Sequence, residues 1–120
     1  MQIYFSSIFI ALIAILHIYI LVLEMFLWEK PAGCKAFGHT VEAATASKVL
    51  AANQGLYNGF LAAGLTWGLY LGATGLDIKV FFLSCVLIAG IYGGLTANRK
   101  ILLIQAIPAA VGLALLFCGV

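Results

Sequence analysis

The sequence predicts an all-α polytopic membrane protein, an antiparallel bundle of four transmembrane helices, on three observations. Mean hydropathy is +1.18. Charged residues are 8% of the 120 and hydrophobic residues 65%, against about a quarter charged in ordinary soluble domains. Four predominantly apolar runs can be laid down, at about residues 3–27, 47–72, 78–97 and 101–119, close to the about 20 residues that a spanning helix needs. Little chain is left over, so residues 1–120 are expected to form one integral membrane domain with a cytoplasmic loop at about 29–45.

The first run, IYFSSIFIALIAILHIYILVLEMFLW, lacks a basic leader and a small-x-small cleavage site, so it is read as a retained helix rather than a secretory signal. It holds His17 and Glu24, seven residues apart and therefore on one helix face. A carboxylate among lipid chains is costly, so such residues usually face a bundle interior or a cavity. Pro31, Gly33 and Gly38 then break helix, while Thr40 and Glu42 mark the next start, a hydroxyl cap followed by an acid in the first turn. The second helix can thus begin before the membrane.

Beyond it, GATGLDIK is a Gly-rich turn in which Asp77 is a candidate cap for the third helix, and Asn98, Arg99 and Lys100 make a tight turn into the fourth. Connections this short place sequence neighbours side by side and antiparallel. Gly90 and Gly94 form a small-x-x-x-small face, open to two readings: packing within the chain, or a homodimer seam. Pro108 withholds a backbone donor from Ile104 and is expected to bend the fourth helix near Gln105.

Lys30, Lys35 and Lys48 follow the first run, and Arg99 and Lys100 follow the third; the opposite side has Lys79 and the N-terminal amine. By the positive-inside rule both basic loops are cytoplasmic and both termini lie outside. Cys34, Cys85 and Cys118 have neither C-x-x-C spacing nor a neighbouring histidine, so neither disulfides nor zinc is expected. No phosphate loop, metal-ligand pair, haem motif or nucleophile elbow is present, and the few basic residues suit membrane orientation rather than nucleic acid. No cofactor, metal or nucleic-acid partner is expected; the lipid bilayer is.

At about 1.5 Å of helix rise per residue, Glu24, Asn53, Gln54, Tyr92 and Gln105 fall near the cytoplasmic boundary, while His17, Tyr57 and Asn58 lie deeper. On the second helix, positions 53 and 57, and 54 and 58, stack one turn apart. A shared polar pocket open toward the cytoplasm would satisfy all of these groups. His17 and Glu24 are the candidate catalytic pair, and Asn53, Gln54, Tyr57, Asn58, Tyr92 and Gln105 the candidate ligand-binding residues. Gly55 and Gly59 are placed to admit a neighbouring helix. Amides that only hold helices together, and a Glu24 that snorkels to the headgroups beside Trp28, are the competing structural readings.

The strings HIYILVLEMFLW (His17 to Trp28) and LAANQGLYNGFLAAGL (Leu50 to Leu65), with AFG at Ala36 to Gly38, resemble the bacterial membrane proteins grouped as domain of unknown function 1304. The resemblance covers essentially the whole chain. It implies a short four-helix protein of the bacterial inner membrane with no established activity, some members carrying a loose epimerase label.

Three functions are then open. One is an intramembrane isomerase or epimerase acting on a small lipophilic molecule, with His17 and Glu24 as acid and base and Tyr57, Asn58 and Gln54 orienting the substrate. The second is a proton-coupled transporter or small-molecule binder, similar to the small multidrug exporters in size, helix number and a helix-one glutamate. The third is an accessory or assembly subunit whose polar face docks another membrane protein. A closed pocket open only at one side favours an enzyme or binder, an inverted two-fold dimer with Glu24 at the seam favours transport, and an exposed polar stripe favours the third.

Overall fold

The computed structural model describes residues 4–120; the expected helix start at Ile3 lies outside them. Every element among the described residues is helical: α1 (Phe5–Met25), a short α2 (Pro31–Phe37), α3 (Val41–Leu71), α4 (Leu76–Thr96) and α5 (Ile107–Phe117). A 3₁₀ turn at Gly72–Gly75 joins α3 to α4, and a π-helical turn at Leu102–Ala106 leads into α5. Two helical stretches are long and apolar enough to cross a membrane, Phe5–Met25 and the 56-residue run Val41–Thr96; the apolar stretch Leu102–Phe117 is shorter. The chain divides into two compact units, one of residues up to Ile15 together with Leu61–Val120, the other of Leu16–Phe60.

In the Leu16–Phe60 unit, α1 and α3 run antiparallel: Gly55 lies against Glu24 and Met25, and Gly59 against Leu21. The segment expected to be loop contains α2. Pro31 opens that helix instead of breaking it, because the first helical turn has no carbonyl waiting for the missing N–H. Gly38, at φ 68°, ends it: the N–H groups of Gly38 and His39 both donate to the Cys34 carbonyl, at 2.8 and 3.2 Å, a left-handed cap that suits glycine. The Thr40 hydroxyl accepts from the Ala43 N–H at 3.1 Å as the sequence reading expected. So capped, α3 begins at Val41, earlier than the apolar run at about 47.

The same segment is fastened to the helices. Trp28 packs at a tilt against Phe37 and His39, at ring separations of 4.8 and 4.2 Å, donates its Nε1–H to the Ser47 hydroxyl at 3.1 Å, and its carbonyl lies 3.0 Å from His39 Nε2.

The other unit has its core in Ile10, Ile13, Ala14, Leu65, Leu83, Val86 and Ala109. Its part of the 56-residue run is not a single rod. Gly64 abuts Phe82 and Gly68 abuts Lys79, so α3 and α4 fold back on each other about Gly72, whose φ of 60° supplies the reversal. Gly75, not Asp77, occupies the cap position of α4; Asp77 sits in the first turn, where a carboxylate meets the positive end of the helix dipole. Lys79 is buried and donates to the Gly72 carbonyl at 2.9 Å. α4 and the final segment are again antiparallel, with Gly90 against Ala106, Gly94 against Leu102, and Gly112 against Leu83. The Gly90/Gly94 face is therefore covered by the chain's own last segment. Pro108 is the second residue of α5, just past the π-helical turn, one wide turn accommodating its missing donor.

Candidate functional site

Glycines decide how closely α1 and α3 approach. A Cβ on Gly55 would stand 2.6 Å from Met25 Cγ and 3.2 Å from the Leu21 carbonyl oxygen, inside ordinary contact distance. Gly55, Asn58 and Gly59 share a helix face, so the same approach that needs the glycines brings Asn58 to α1. There its Nδ2–H donates to Glu24 Oε1 at 2.6 Å. Glu24 is only 5% exposed. Its carboxylate is held at an amide donor of α3.

His17 is fully buried in the same unit. Asn53 and Gln54 are exposed, and Asn53 donates to the Val49 carbonyl of its own helix at 2.8 Å. Tyr57 is 57% exposed and lies beside Phe60. Of the four polar residues expected to make one face of the second helix, Asn58 is the one that hydrogen-bonds to Glu24 of α1, because a face of two adjoining stripes is wider than the contact that Gly55 and Gly59 create. Tyr92, exposed, and Gln105, in the π-helical turn beside Gly90, belong to the other unit.

A groove of roughly 350 Å³ opens within the Leu16–Phe60 unit, lined by Glu24, Met25, Phe26, Trp28, Glu29, Lys30, Lys48, Val49, Ala52 and Asn53. Glu24 and Asn53 were expected in such a place; Trp28, Glu29, Lys30 and Lys48 were not. The signal for them was a Trp-Glu-Lys triplet directly after the first apolar run, with Lys48 at the predicted start of the second. Glu29 accepts from the Thr45 hydroxyl at 2.6 Å and pairs with Lys48 at 3.5 Å. The Thr45 hydrogen bond, with Lys48 and Lys30 nearby, holds its carboxyl below the usual range. The groove thus carries two carboxylates and two ammonium groups beside the apolar surface of Met25, Phe26, Val49 and Ala52. Among the described residues no cluster of three His, Cys, Asp or Glu side chains is arranged for a metal ion, and the three cysteines are free.

A family profile described as "Protein of unknown function (DUF1304)" matches residues 11–117. The uncharacterized protein YpaA of Lactococcus lactis subsp. lactis (strain IL1403) is 34% identical over 107 residues, spanning 88% of this chain and 86% of the relative. No solved structure matches. The profile match runs from within α1 through α3, where the Glu24–Asn58 pair and its glycines lie, and the chain belongs to the DUF1304 family of proteins of unknown function.

Proposed function

We propose that this chain is a four-span protein of the bacterial inner membrane, its α1–α3 connection cytoplasmic and both termini outside, that binds a small amphipathic molecule in the groove floored by Glu24. Several features support the membrane reading. Bulky apolar side chains such as Phe5, Leu12, Ile15, Phe60, Phe81 and Ile88 are exposed, while His17, Glu24 and Lys79 are buried, the reverse of a soluble fold. Five cationic side chains fall on the proposed cytoplasmic side against Lys79 on the other.

The observation that carries the binding reading is the inward carboxylate. Glu24 lines the groove and is oriented by Asn58, and a carboxylate fixed in an apolar wall suits the cationic end of a lipophilic ligand. His17 is not among the groove's lining residues, so binding asks less of this geometry than acid–base catalysis by His17 and Glu24.

Native mass spectrometry of the detergent-solubilised chain with tetraphenylphosphonium tests this. Wild type and His17→Ala are expected to retain the cation and Glu24→Gln to lose it. Equal retention by folded Glu24→Gln refutes the reading, while loss in both variants returns the weight to a shared acid–base cavity. Resistance of the chain to alkaline extraction from membranes tests the bilayer assignment separately. A second reading, an accessory subunit, is favoured by the exposed Asn53, Gln54 and Tyr57; its test is a crosslinked partner that Gln54→Leu abolishes.

A further inference from the structure

From the mouth of the groove we infer a second subsite, for the phosphoethanolamine headgroup of an aminophospholipid, with the phosphate on Lys30 and Lys48 and the primary ammonium on Glu29. This rests on the membrane reading above and not on the role of Glu24. Lys48 and Glu29 meet at 3.5 Å with the Lys48 side chain 62% exposed, a loose pair open to exchange. A headgroup carrying one cation and one anion replaces it with two pairs. Its ammonium takes the place of Lys48 on Glu29, and the released Lys48, with Lys30, receives the phosphate.

Glu29 stays aimed through the exchange because the Thr45 hydroxyl holds its other oxygen at 2.6 Å. The apolar half of the ligand is provided for as well. Phe26 and Val49 line the groove and are themselves exposed, a path for acyl chains away from the charged rim, and Trp28 lines the same groove, a residue type that favours membrane interfaces. Two lysines alone would accept any anionic lipid. The carboxylate between them disfavours a headgroup without an ammonium, and its need for N–H donors disfavours a quaternary one.

Delipidated full-length protein is titrated with phosphatidylethanolamine, phosphatidylcholine and phosphatidylglycerol of identical acyl chains, and adducts are counted by native mass spectrometry. Phosphatidylethanolamine is expected to lead the other two by about tenfold, the worth of one charge-assisted hydrogen bond. Glu29→Gln, which keeps an acceptor for Thr45, is expected to erase that lead, Lys30→Gln to weaken all three lipids, and Lys48→Arg to preserve the wild-type order. Circular dichroism confirms the fold of each variant.

Phosphatidylglycerol binding as well as phosphatidylethanolamine, or a preference that survives Glu29→Gln, overturns the assignment. Equal competition by free phosphoethanolamine overturns the lipid as its source. An ethanolamine preference unchanged by Glu24→Gln, in a chain that fails to bind tetraphenylphosphonium, would leave this subsite standing while the Glu24 reading falls.

Discussion

Substituting alanine at Gly55 and at Gly59 should have opposite consequences. At Gly55 the new Cβ meets Met25 Cγ at 2.6 Å, Glu24 Cβ at 3.1 Å and the Leu21 carbonyl oxygen at 3.2 Å. Met25 can turn away, but a backbone carbonyl and the first carbon of a side chain cannot, so the helices must part. Overpacking of this kind costs about 1–3 kcal/mol, and the gain in helix propensity from glycine to alanine returns at most about 1 kcal/mol. Gly55→Ala should therefore destabilise by about 1–2 kcal/mol. At Gly59 the only close atom among the described residues is Leu21 Cδ1, at 2.7 Å, the end of a flexible side chain. There the propensity gain survives, and stability should be unchanged or higher by up to about 1 kcal/mol. Equilibrium unfolding in mixed detergent micelles measures both variants. A Gly55→Ala protein at least as stable as Gly59→Ala would refute the claim that backbone approach at Gly55 sets the spacing of α1 and α3.

Gly90→Ala should destabilise by about 1–3 kcal/mol, since its Cβ would stand 2.5 Å from the Ala106 backbone nitrogen; a variant that changes oligomeric mass in solution but not unfolding would instead make Gly90 an intermolecular contact. Lys79→Met leaves the Gly72 carbonyl without its ammonium donor and removes a cation from the end of α3, at a cost of about 1–2 kcal/mol, read as faster amide exchange across residues 70–76. Glu29 has its carboxyl held low by Thr45, Lys48 and Lys30; a depressed folded-state value makes its contribution complete above the ordinary glutamate range and lost as pH falls through the lower folded value. The difference in α2 amide protection between wild type and Glu29→Gln should therefore be constant from pH 8 to about 5 and vanish in stronger acid.

How much of this was legible in the sequence depended on how local the signal was. The Thr40 cap, the turn at Asn98 and the reversal in GATG are each decided by a few adjacent residues and were readable. Pro31 was misread because proline excludes the helix interior yet suits its first turn, and only the Gly38 cap distinguishes the cases. The pairing of Glu24 with Asn58 was within reach, since Gly55 and Gly59 flank it at helical spacing. Which of Asn53, Gln54, Tyr57 and Asn58 would face α1 was not: the four span an arc of about 140° on the helix, and the narrower contact is set by where α1 lies. The rim of the groove was missed because Glu29, Lys30 and Lys48 read singly are ordinary boundary charges, and their meeting depends on the course of the chain through α2.

Whether Glu24 and Asn58 are adhesive or functional can be decided by removing both. Taking away one partner leaves the other buried without its hydrogen bond, so Asn58→Leu or Glu24→Met alone should destabilise in either case, by about 1–3 kcal/mol. Replacing both with apolar side chains of similar size removes the unsatisfied group as well, and such exchanges are often neutral or stabilising. The Glu24→Met, Asn58→Leu double variant should thus regain most of the wild-type stability, with a coupling between the sites of about 1–2 kcal/mol, at the upper end for helix contacts in membranes. An adhesive pair predicts a double variant that is stable and retains tetraphenylphosphonium. A binding floor predicts one that is stable and does not. If the double variant fails to recover stability, the 2.6 Å contact is not an independent pair, and further partners of Glu24 must be sought before either role is assigned.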